Sequence, residues 1–463
     1  MLAVQHVLTM FGATVSVPLL LGPAMELSPA DTARLISSVM ICSGIATLLQ
    51  VRFGSRLPIV QGVSFSFLGA FFLIIGRAGS EAAAAGTPAG PLAMQYIAGA
   101  VILGGLVEAF VGFSGVVGLL RRVLSPVVIG PVLMLIGLAL FQHGAPKAGT
   151  HWPSSALTIG LVLLFSLVLA RKRRFFRLFP ILTAVAVVTT LCYALSATGV
   201  FAPGHPAHVS LEAAREADWL RLSPRELILP WGAPRWDFAL FLAVLAGYLA
   251  SMIESIGDYH AASYMAGAGE PKASQLNRGI GWEGVACALT GLLGGFSSTS
   301  YSENIGLLGL TKVASRWVVM IGGALLVLLG VFGKFGGLAA AIPGPVVGGL
   351  YCALFGLIAA IGVQQLARAD LTSDRNLLIA GFSLFMGLSL PAYFAARVDP
   401  ASLAPGQTLA QYQPTAEGLV GQLPPSLAAV VVALGSTGMA VAAVIGLVLD
   451  NVVPGTDRER GLD

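Results

Sequence analysis

The fold of this chain is decided by residues 296–312, which read Phe-Ser-Ser-Thr-Ser-Tyr-Ser-Glu-Asn-Ile-Gly-Leu-Leu-Gly-Leu-Thr-Lys. These residues are small and rich in hydroxyl groups, and they include the carboxylate Glu303, although the surrounding chain is apolar enough to lie in lipid. Residues 297–300 favour extended backbone because serine and threonine have poor helix propensity, and an apolar helical pattern begins only near Ile305. The stretch therefore predicts an extended segment that becomes a short helix at the middle of a membrane.

Irregular backbone at that depth is tolerated only where it is buried in protein or lines a cavity. A half-helix that starts at the midplane points its free N–H groups and the positive end of its dipole at whatever lies there. We therefore expect a ligand site at the start of this helix. The alternative interpretation is a polar loop between two ordinary helices, but residues 281–295 and 318–331 have to be joined across the membrane.

The composition is that of a polytopic membrane protein. Hydrophobic residues make up 56% of the 463 residues and charged residues only 10%, whereas a soluble domain carries about 25% charge. A chain of this length has room for about 14 spans of about 20 residues each. The basic residues lie in short loops, so membrane topology explains them better than binding to nucleic acid. The four cysteines are isolated and show no metal or disulfide spacing, so we expect neither a metal site nor a cofactor.

The apolar runs place fourteen segments along the chain. Their predicted limits are 2–21, 33–51, 57–75, 92–113, 124–141, 156–170, 179–196, 238–256, 280–293, 296–312, 317–332, 343–363, 376–394 and 427–449.

Charge indicates the orientation of these segments. Basic residues follow the even-numbered segments, as with Arg52 and Arg56, Arg121 and Arg122, and the cluster at 171–177. Positively charged loops stay on the cytoplasmic side of a membrane. We therefore expect a multi-pass protein of the inner (plasma) membrane with both termini in the cytoplasm, provided that the short segments 3 and 10 each cross the bilayer.

A faint internal repeat supports this topology. Residues 125–130 read Ser-Pro-Val-Val-Ile-Gly in segment 5, and residues 344–349 read Gly-Pro-Val-Val-Gly-Gly in segment 12. Seven crossings separate the two, and an odd number means that the second repeat is inverted. Segments 3 and 10 then correspond, and paired interrupted segments in two halves are the best sequence indication of a transporter's binding site.

Ionisable residues inside the spans identify candidate site residues. The spans contain four glutamates, and Asp258 lies at the predicted end of segment 8. Each such group costs about 2.5–3.5 kcal/mol at the centre of a membrane on insertion scales. Glu254 and Asp258 are four residues apart and therefore share one helix face. Because burial favours the neutral form of a carboxyl group, this pair could hold a proton near neutral pH, as proton coupling requires.

The other polar residues have competing interpretations. Glu108 and Glu283 fit hydrogen bonding between helices better than ligand binding, and Glu283 lies near a predicted helix start, where an acid favours the dipole. Gln5 and His6 could form a structural hydrogen-bonded pair. Phe65 could serve packing alone or stack on a flat ligand.

These motifs together resemble the nucleobase–ascorbate transporter family, also called nucleobase:cation symporter-2. Its signature begins with Gln, Glu or Pro, continues with Asn-x-Gly and four residues, and ends with Thr before a basic residue or Gly. The matching run here is Glu303-Asn304-Ile305-Gly306, residues 307–310 and Thr311-Lys312. Gln5-His6 is similar to the family's Gln-His pair, and residues 254–259 are similar to its acidic motif.

The resemblance implies a fold and a set of site residues. It implies an all-α membrane protein of two inverted seven-span repeats, a core domain, a gate domain and a homodimer. The expected limits are core 1–115 and 236–335, gate 116–198 and 336–450, an extracytoplasmic loop at 199–235 and a cytoplasmic tail at 451–463. The expected substrate contacts are Phe65, Glu254, Tyr301, Ser302 and Glu303. The expected proton-coupling or supporting residues are Asp258, Gln5, His6, Asn304 and Thr311.

The family motifs leave the substrate open. An acid at the start of the signature is similar to uracil transporters, whereas Asp258 is similar to the xanthine, urate and ascorbate types, and residues 277–284 resemble the eukaryotic ascorbate-like branch. We expect import of a nucleobase by proton symport, with sodium coupling or ascorbate as alternatives in the same family. An anion transporter or channel of the same architecture is the rival class, although Glu254 and Glu303 would repel an anion. The sequence shows no nucleophile–base pattern of the kind that would indicate an enzyme.

Overall fold

The structure, a computed structural model, describes residues 2–118, 125–396 and 423–462. The predicted cytoplasmic residues Arg121 and Arg122 and the predicted start of segment 5 at Leu124 lie outside these ranges. Within them, ten helices are long and apolar enough to cross a membrane, and Arg316–Val331 and Gly438–Val452 are shorter apolar helices. The prediction of an all-α polytopic membrane protein is thus confirmed, and the count of fourteen spans stays a prediction.

The first half of the chain consists of helices interrupted once by a short strand. In order, the elements are α1 (Leu2–Ala24), α2 (Pro29–Arg52), β1 (Gln61–Val63), a 3₁₀ turn (Phe65–Phe67), α3 (Leu68–Ala85), α4 (Ala89–Ser114), α5 (Pro126–Ala139), α6 (Phe141–Gly149), α7 (Trp152–Leu163), a π-helical segment (Leu164–Leu169), α8 (Ala170–Lys172), α9 (Arg174–Leu178) and α10 (Pro180–Ala197).

The second half follows the same plan after a loop that carries two short helices. Its elements are α11 (Glu212–Glu216), α12 (Pro224–Leu227), α13 (Phe238–Met265), α14 (Ala273–Leu292), β2 (Ser298–Ser300), α15 (Ser302–Thr311), α16 (Arg316–Val331), α17 (Gly333–Ala340), α18 (Gly344–Leu366), α19 (Asp374–Ala396), α20 (Pro425–Gly435), α21 (Gly438–Val452) and α22 (Asp457–Arg460).

The two short strands meet as an antiparallel pair inside the helical protein. Gln61 pairs with Ser300, Gly62 with Thr299 and Val63 with Ser298, and every strand residue is buried. Each strand leads into a helix, α3 after β1 and α15 after β2. The pair thus brings together segments 3 and 10, the two segments that the internal repeat makes counterparts. The limits of the core and gate domains stay predictions.

Glycines allow the helices around this pair to approach closely. A Cβ atom at Gly44 of α2 would lie 2.5 Å from the carbonyl oxygen of Gly323 in α16. A Cβ at Gly105 of α4 would lie 2.6 Å from the backbone nitrogen of Ala288 in α14. Such backbone-to-backbone contact is typical of helices packed in membranes, where small residues replace large side chains.

Several predicted helix limits are wrong, and the differences affect the site. Helix α15 begins at Ser302 rather than near Ile305, because Tyr301 is still extended and an acid in the first turn favours the helix dipole. Helix α13 does not end at Ile256 but continues to Met265, so Asp258 lies inside a helix. Helix α14 begins at Ala273, which places Glu283 in the middle of a helix rather than near its start.

The other predicted limits differ in smaller ways. Helix α3 continues ten residues beyond the predicted limit at 75 and ends at Ala85. The predicted last span is divided into α20 and α21 around Ser436 and Thr437. The predicted loop at 199–235 contains α11 and α12.

Candidate functional site

The first turn of α15 carries two accessible residues. Ser302 and Glu303 are exposed, whereas Tyr301 before them and Asn304 after them are buried. Helix α15 packs against α1 and α13, and the strand that precedes it is buried. The side chains of Ser302 and Glu303 are therefore accessible beside α13, and the space next to them is called the hollow below.

Helix α13 supplies two further carboxyl groups to this hollow. The Ser302 hydroxyl donates a hydrogen bond of 2.7 Å to Asp258 Oδ1, while Asp258 Oδ2 is buried and accepts no hydrogen bond from the described residues. Glu254 lies one turn earlier and is half-buried. The charges of Asp258 and Glu303 are close enough to act on Glu254. The structure thus brings together the three acids that the sequence singles out.

The charge of this cluster is not balanced by a nearby cation. In the ranges that the structure describes, no salt bridge joins Glu254, Asp258 or Glu303 to a lysine or arginine. Carboxylates that share a low-dielectric space repel one another, so the cluster favours protons or hydrogen-bond donors as ligands and disfavours anions.

The strand pair positions Phe65 beside α13. Ser64 N–H donates to the Ser297 carbonyl oxygen at 3.1 Å, which extends the pairing of β1 with β2. Phe65 then begins the 3₁₀ turn, which packs on α13. The Phe65 ring is half-buried and meets Phe355 of α18 edge to face, with ring centroids 6.4 Å apart. Phe65 therefore lies between helices that the sequence assigns to the core and to the gate.

Tyr301 faces the packed interior instead of the hollow. Its hydroxyl donates to the Val63 carbonyl oxygen at 2.9 Å and accepts a hydrogen bond from Thr14 Oγ1 at 3.2 Å. A Cβ atom at Gly62 would lie 2.5 Å from the Tyr301 ring, so only glycine leaves room for the ring at that position. In this arrangement the Tyr301 side chain positions the start of α15 against β1 and α1.

Asn304 and His6 join α15 to α1. The Asn304 amide donates to the His6 carbonyl oxygen at 2.9 Å and lies 3.2 Å from His6 Nδ1. Gln5 is half-buried, and its side-chain oxygen accepts no hydrogen bond within the described part of the chain. These residues support the hollow from behind rather than lining it.

Thr311 is not brought to the carboxyl cluster. Its hydroxyl donates to the Leu307 carbonyl oxygen at 2.8 Å, at the end of α15 where Lys312 adopts a left-handed conformation. Eight residues of helix separate Thr311 from Glu303, which is about 12 Å along the axis. Thr311 therefore contributes to the end of the short helix and not to its start.

Glu283 hydrogen-bonds between helices, as the sequence analysis expects, and it is the centre of a buried network whose extent was not predicted. Glu283 Oε1 accepts hydrogen bonds from Ser255 at 2.6 Å and Ser251 at 3.4 Å. Its Oε2 accepts from Tyr259 at 2.6 Å and Gln61 at 3.4 Å. Four polar side chains therefore surround this buried carboxyl group. The spacing of four between Ser251, Ser255 and Tyr259, one polar face of α13, is the signal that could have predicted this network.

The network connects Glu283 to the strand that leads into the site. Ser255 Oγ lies 3.1 Å from Ser300 Oγ and 3.2 Å from Thr299 Oγ1, and the Gln61 amide donates to Ser300 Oγ at 3.1 Å. Glu283 therefore holds β1, β2 and α13 in one arrangement. Glu108, by contrast, is fully buried in α4 against Cys287 and does not face the hollow.

Comparisons with known proteins agree with this architecture. The sequence profile described as "Permease family" matches residues 1–396. The chain is 36% identical to solute carrier family 23 member 1 of Mus musculus, with 100% of this chain and 79% of the relative covered. It is 37% identical to solute carrier family 23 member 2 of Homo sapiens, with 100% and 73% covered. It is also 37% identical to nucleobase-ascorbate transporter 1 of Arabidopsis thaliana, with 85% and 78% covered.

Solved structures share the fold at low sequence identity. The transmembrane domain of a cyanobacterium bicarbonate transporter, BicA, matches with a TM-score of 0.57 and 15% identity, covering 82% of this chain and 92% of that chain. The structure of SLC26A9 matches with a TM-score of 0.53 and 13% identity, covering 83% and 62%. The family profile and the full-length relatives identify a transporter rather than an enzyme, and this chain belongs to the nucleobase–ascorbate transporter family.

Proposed function

We propose that this transporter imports a nucleobase, uracil or a purine such as xanthine or urate, by proton symport. One observation carries the proposal: Glu254, Asp258 and Glu303 lie close together at the start of a half-helix, and no salt bridge joins them to a lysine or arginine among the described residues. A small molecule rich in N–H donors complements such a site, and an anion does not.

The geometry suggests how a flat base would lie. Ring N–H groups would donate to Glu254 and Glu303, which come from two different helices. Ring carbonyl groups would accept from backbone N–H groups at the start of α15 and of the 3₁₀ turn, where helix dipoles favour partial negative charge. Phe65 would stack on the ring, and its half-buried position beside α13 leaves a face for that contact.

Proton coupling follows from the two acids on α13. Asp258 holds one hydrogen bond, from Ser302, and its second oxygen is buried without a donor from the described chain. Two neighbouring carboxylates are disfavoured there, so one of them takes up a proton. Ser302 directly precedes Glu303, which is proposed to bind substrate, and it hydrogen-bonds to Asp258. A bound substrate would therefore alter the surroundings of Asp258. Substrate and proton would thus bind together.

Transport requires the site to face each side of the membrane in turn. We propose that the core (1–115 and 236–335) moves against the gate (116–198 and 336–450), with the Phe65–Phe355 contact lying at their boundary. In this proposal the protein is a homodimer in the lipid of the inner (plasma) membrane, with both termini in the cytoplasm, in accord with the positively charged loops.

Ascorbate is the second candidate substrate, with sodium as the alternative coupling ion. The name of the Arabidopsis relative includes ascorbate as well as nucleobases. Ascorbate is an anion at neutral pH, so its binding beside three acids would need cations or protons to enter with it. The three acids would likewise repel the substrate of an anion transporter or channel. The likeness to BicA concerns the fold alone.

A binding screen tests the proposal. The purified protein is heated with uracil, xanthine, urate or ascorbate while pH and sodium concentration are varied, because a ligand that binds the native state raises the melting temperature. We expect stabilisation by a nucleobase that disappears in Glu303→Gln and persists in Glu26→Gln, a change at an exposed residue outside the site. Stabilisation by ascorbate alone, dependent on sodium, would replace the nucleobase proposal with the second candidate.

A further inference from the structure

An apolar crevice of about 270 Å³ runs along α13 on the side of the gate helices. One wall is α13, and the other wall is formed by α5, α20 and α21. All the described lining residues are Ala, Val, Leu or Ile; they are Val128, Ile129, Val132, Leu242, Leu245, Ala246, Leu249, Ala250, Ile253, Leu434, Ala440, Ala443, Val444, Leu447 and Val448.

The chemistry of this lining excludes a polar occupant. A nucleobase would find no hydrogen-bond partner on these side chains, and burying its N–H and C=O groups without partners is unfavourable. Sites for small molecules combine an apolar surface with a few convergent polar groups, and the described lining residues supply no polar side chain. Water is excluded for the same reason, since it needs two to four polar partners.

The position of the crevice favours an occupant that comes from the membrane itself. Both walls belong to apolar helices, and α13 is long enough to span the membrane. Val444 and Val448 on α21 remain 52% and 49% exposed, so the crevice opens at this edge. In a bilayer that edge meets hydrocarbon, and an unfilled apolar cavity becomes more costly as its volume grows. We propose that the acyl chain of a membrane lipid fills the crevice between α13 and the gate helices.

The crevice lies along the boundary that alternating access must change. Next to it, Ala250 of α13 packs in one cluster with Val132 of α5 and Met439 and Ala442 of α21, and Phe65 packs against the same cluster. The crevice also ends at Ile253, one residue before Glu254. When the core moves against the gate, these walls shift, and the acyl chain has to leave or rearrange. The lipid thus acts as a wedge: it separates α13 from the gate helices and has to leave or rearrange during transport. This inference rests on the proposed core-and-gate movement.

Photo-crosslinking tests whether lipid occupies the crevice, independently of any substrate. The full-length protein is reconstituted in phosphatidylethanolamine–phosphatidylglycerol vesicles that contain a phosphatidylcholine with a diazirine in the middle of its acyl chain. After irradiation, peptide mass spectrometry should find adducts on residues 242–253 and 440–448 in excess over Leu328, which is 63% exposed on α16. Ala443→Phe, which fills the crevice from α21, should remove these adducts, and Leu328→Phe should not.

Transport measurements on the same variants test whether the bound lipid acts as this wedge. Ala443→Phe should lower turnover by about tenfold, the effect of overpacking a boundary that has to move, while the substrate dissociation constant stays within twofold. Adduct frequencies in the crevice no higher than at Leu328, or crosslinks to a second copy of the protein, would overturn the lipid assignment. Crevice adducts with unchanged turnover in Ala443→Phe would overturn the wedge. Failure to find a transported substrate would refute the proposed function and leave the adduct result intact.

Discussion

Ser302 Oγ donates a hydrogen bond of 2.7 Å to Asp258 Oδ1 and so joins the first turn of α15 to the middle of α13. This bond links the half-helix that the sequence identifies as the ligand site to the helix that carries the acid pair. It is the only hydrogen bond that the described residues give to the Asp258 carboxyl group.

Removing the Ser302 hydroxyl should therefore impair the site without unfolding the protein. Ser302→Ala is expected to weaken substrate binding by roughly tenfold or more, since a hydrogen bond to a charged group contributes about 1.5–3 kcal/mol. Ser302→Thr keeps the hydroxyl group and should retain most of the affinity. Equilibrium binding of a radiolabelled nucleobase measures both. Equal affinity of the alanine variant and the native protein would show that the bond has no role in binding.

Glu283 should be required for the fold around the site. Glu283→Gln puts an amide donor opposite the hydroxyl donors of Ser255 and Tyr259, and an unsatisfied buried group costs about 1–3 kcal/mol. We expect a lower melting temperature in detergent and a loss of uptake.

Glu81→Gln is the control for Glu283→Gln. It weakens a partly exposed ion pair with Arg235, and ion pairs at the surface contribute about 0–1 kcal/mol. If both variants melt at the temperature of the native protein, the buried network does not stabilise the structure.

Tyr301 is expected to act through position rather than through contact with the substrate. Tyr301→Phe removes the hydroxyl that bridges Val63 and Thr14 and keeps the ring above Gly62. Loss of these hydrogen bonds should lower the free energy of unfolding by about 1 kcal/mol. The melting temperature and the affinity should both fall modestly. Tyr264→Phe, at a residue 59% exposed on α13, is the matched control. A large loss of affinity with an unchanged melting temperature would instead indicate direct contact with the substrate.

Asp450, in the last part of the chain, is a buried acid, and its replacement should strongly lower the stability of the protein. Asp450 has a side chain with 0% exposure and forms salt bridges with Arg375 at 2.9 Å and Arg460 at 2.8 Å. Asp450→Asn removes the buried carboxylate that pairs with both guanidinium groups, which should cost about 3 kcal/mol. Thermal unfolding should detect this, with the exposed Asp457→Asn as control. Similar melting temperatures for the two variants would contradict this role of Asp450.

The sequence allowed the centre of the fold to be predicted because its signals there are local. Consecutive hydroxyl residues before Tyr301 predict extended backbone, and β2 occupies Ser298–Ser300. The spacing of Glu254 and Asp258 places both acids on one face of α13. The internal repeat predicts that segments 3 and 10 correspond, whereas the pairing of β1 with β2 was not predicted.

The remaining features depend on contacts between distant residues, which one sequence does not reveal. Glu283 resembles any single acid in a helix until Gln61, 222 positions away, is seen to donate to it. The direction of the Tyr301 side chain depends on the absence of a side chain at Gly62. The end of α13 was predicted too early because its polar residues face a hollow and the start of α15, where they do not terminate a helix.

The central claim is that the acids around the start of α15 bind a nucleobase together with a proton. Its most direct test is uptake of radiolabelled uracil and xanthine into proteoliposomes that carry either an inward proton gradient or an inward sodium gradient. We predict accumulation that needs the proton gradient, is unaffected by sodium and is abolished by Glu303→Gln. Uptake by Glu303→Gln equal to that of the native protein, or accumulation driven only by sodium, would contradict the account.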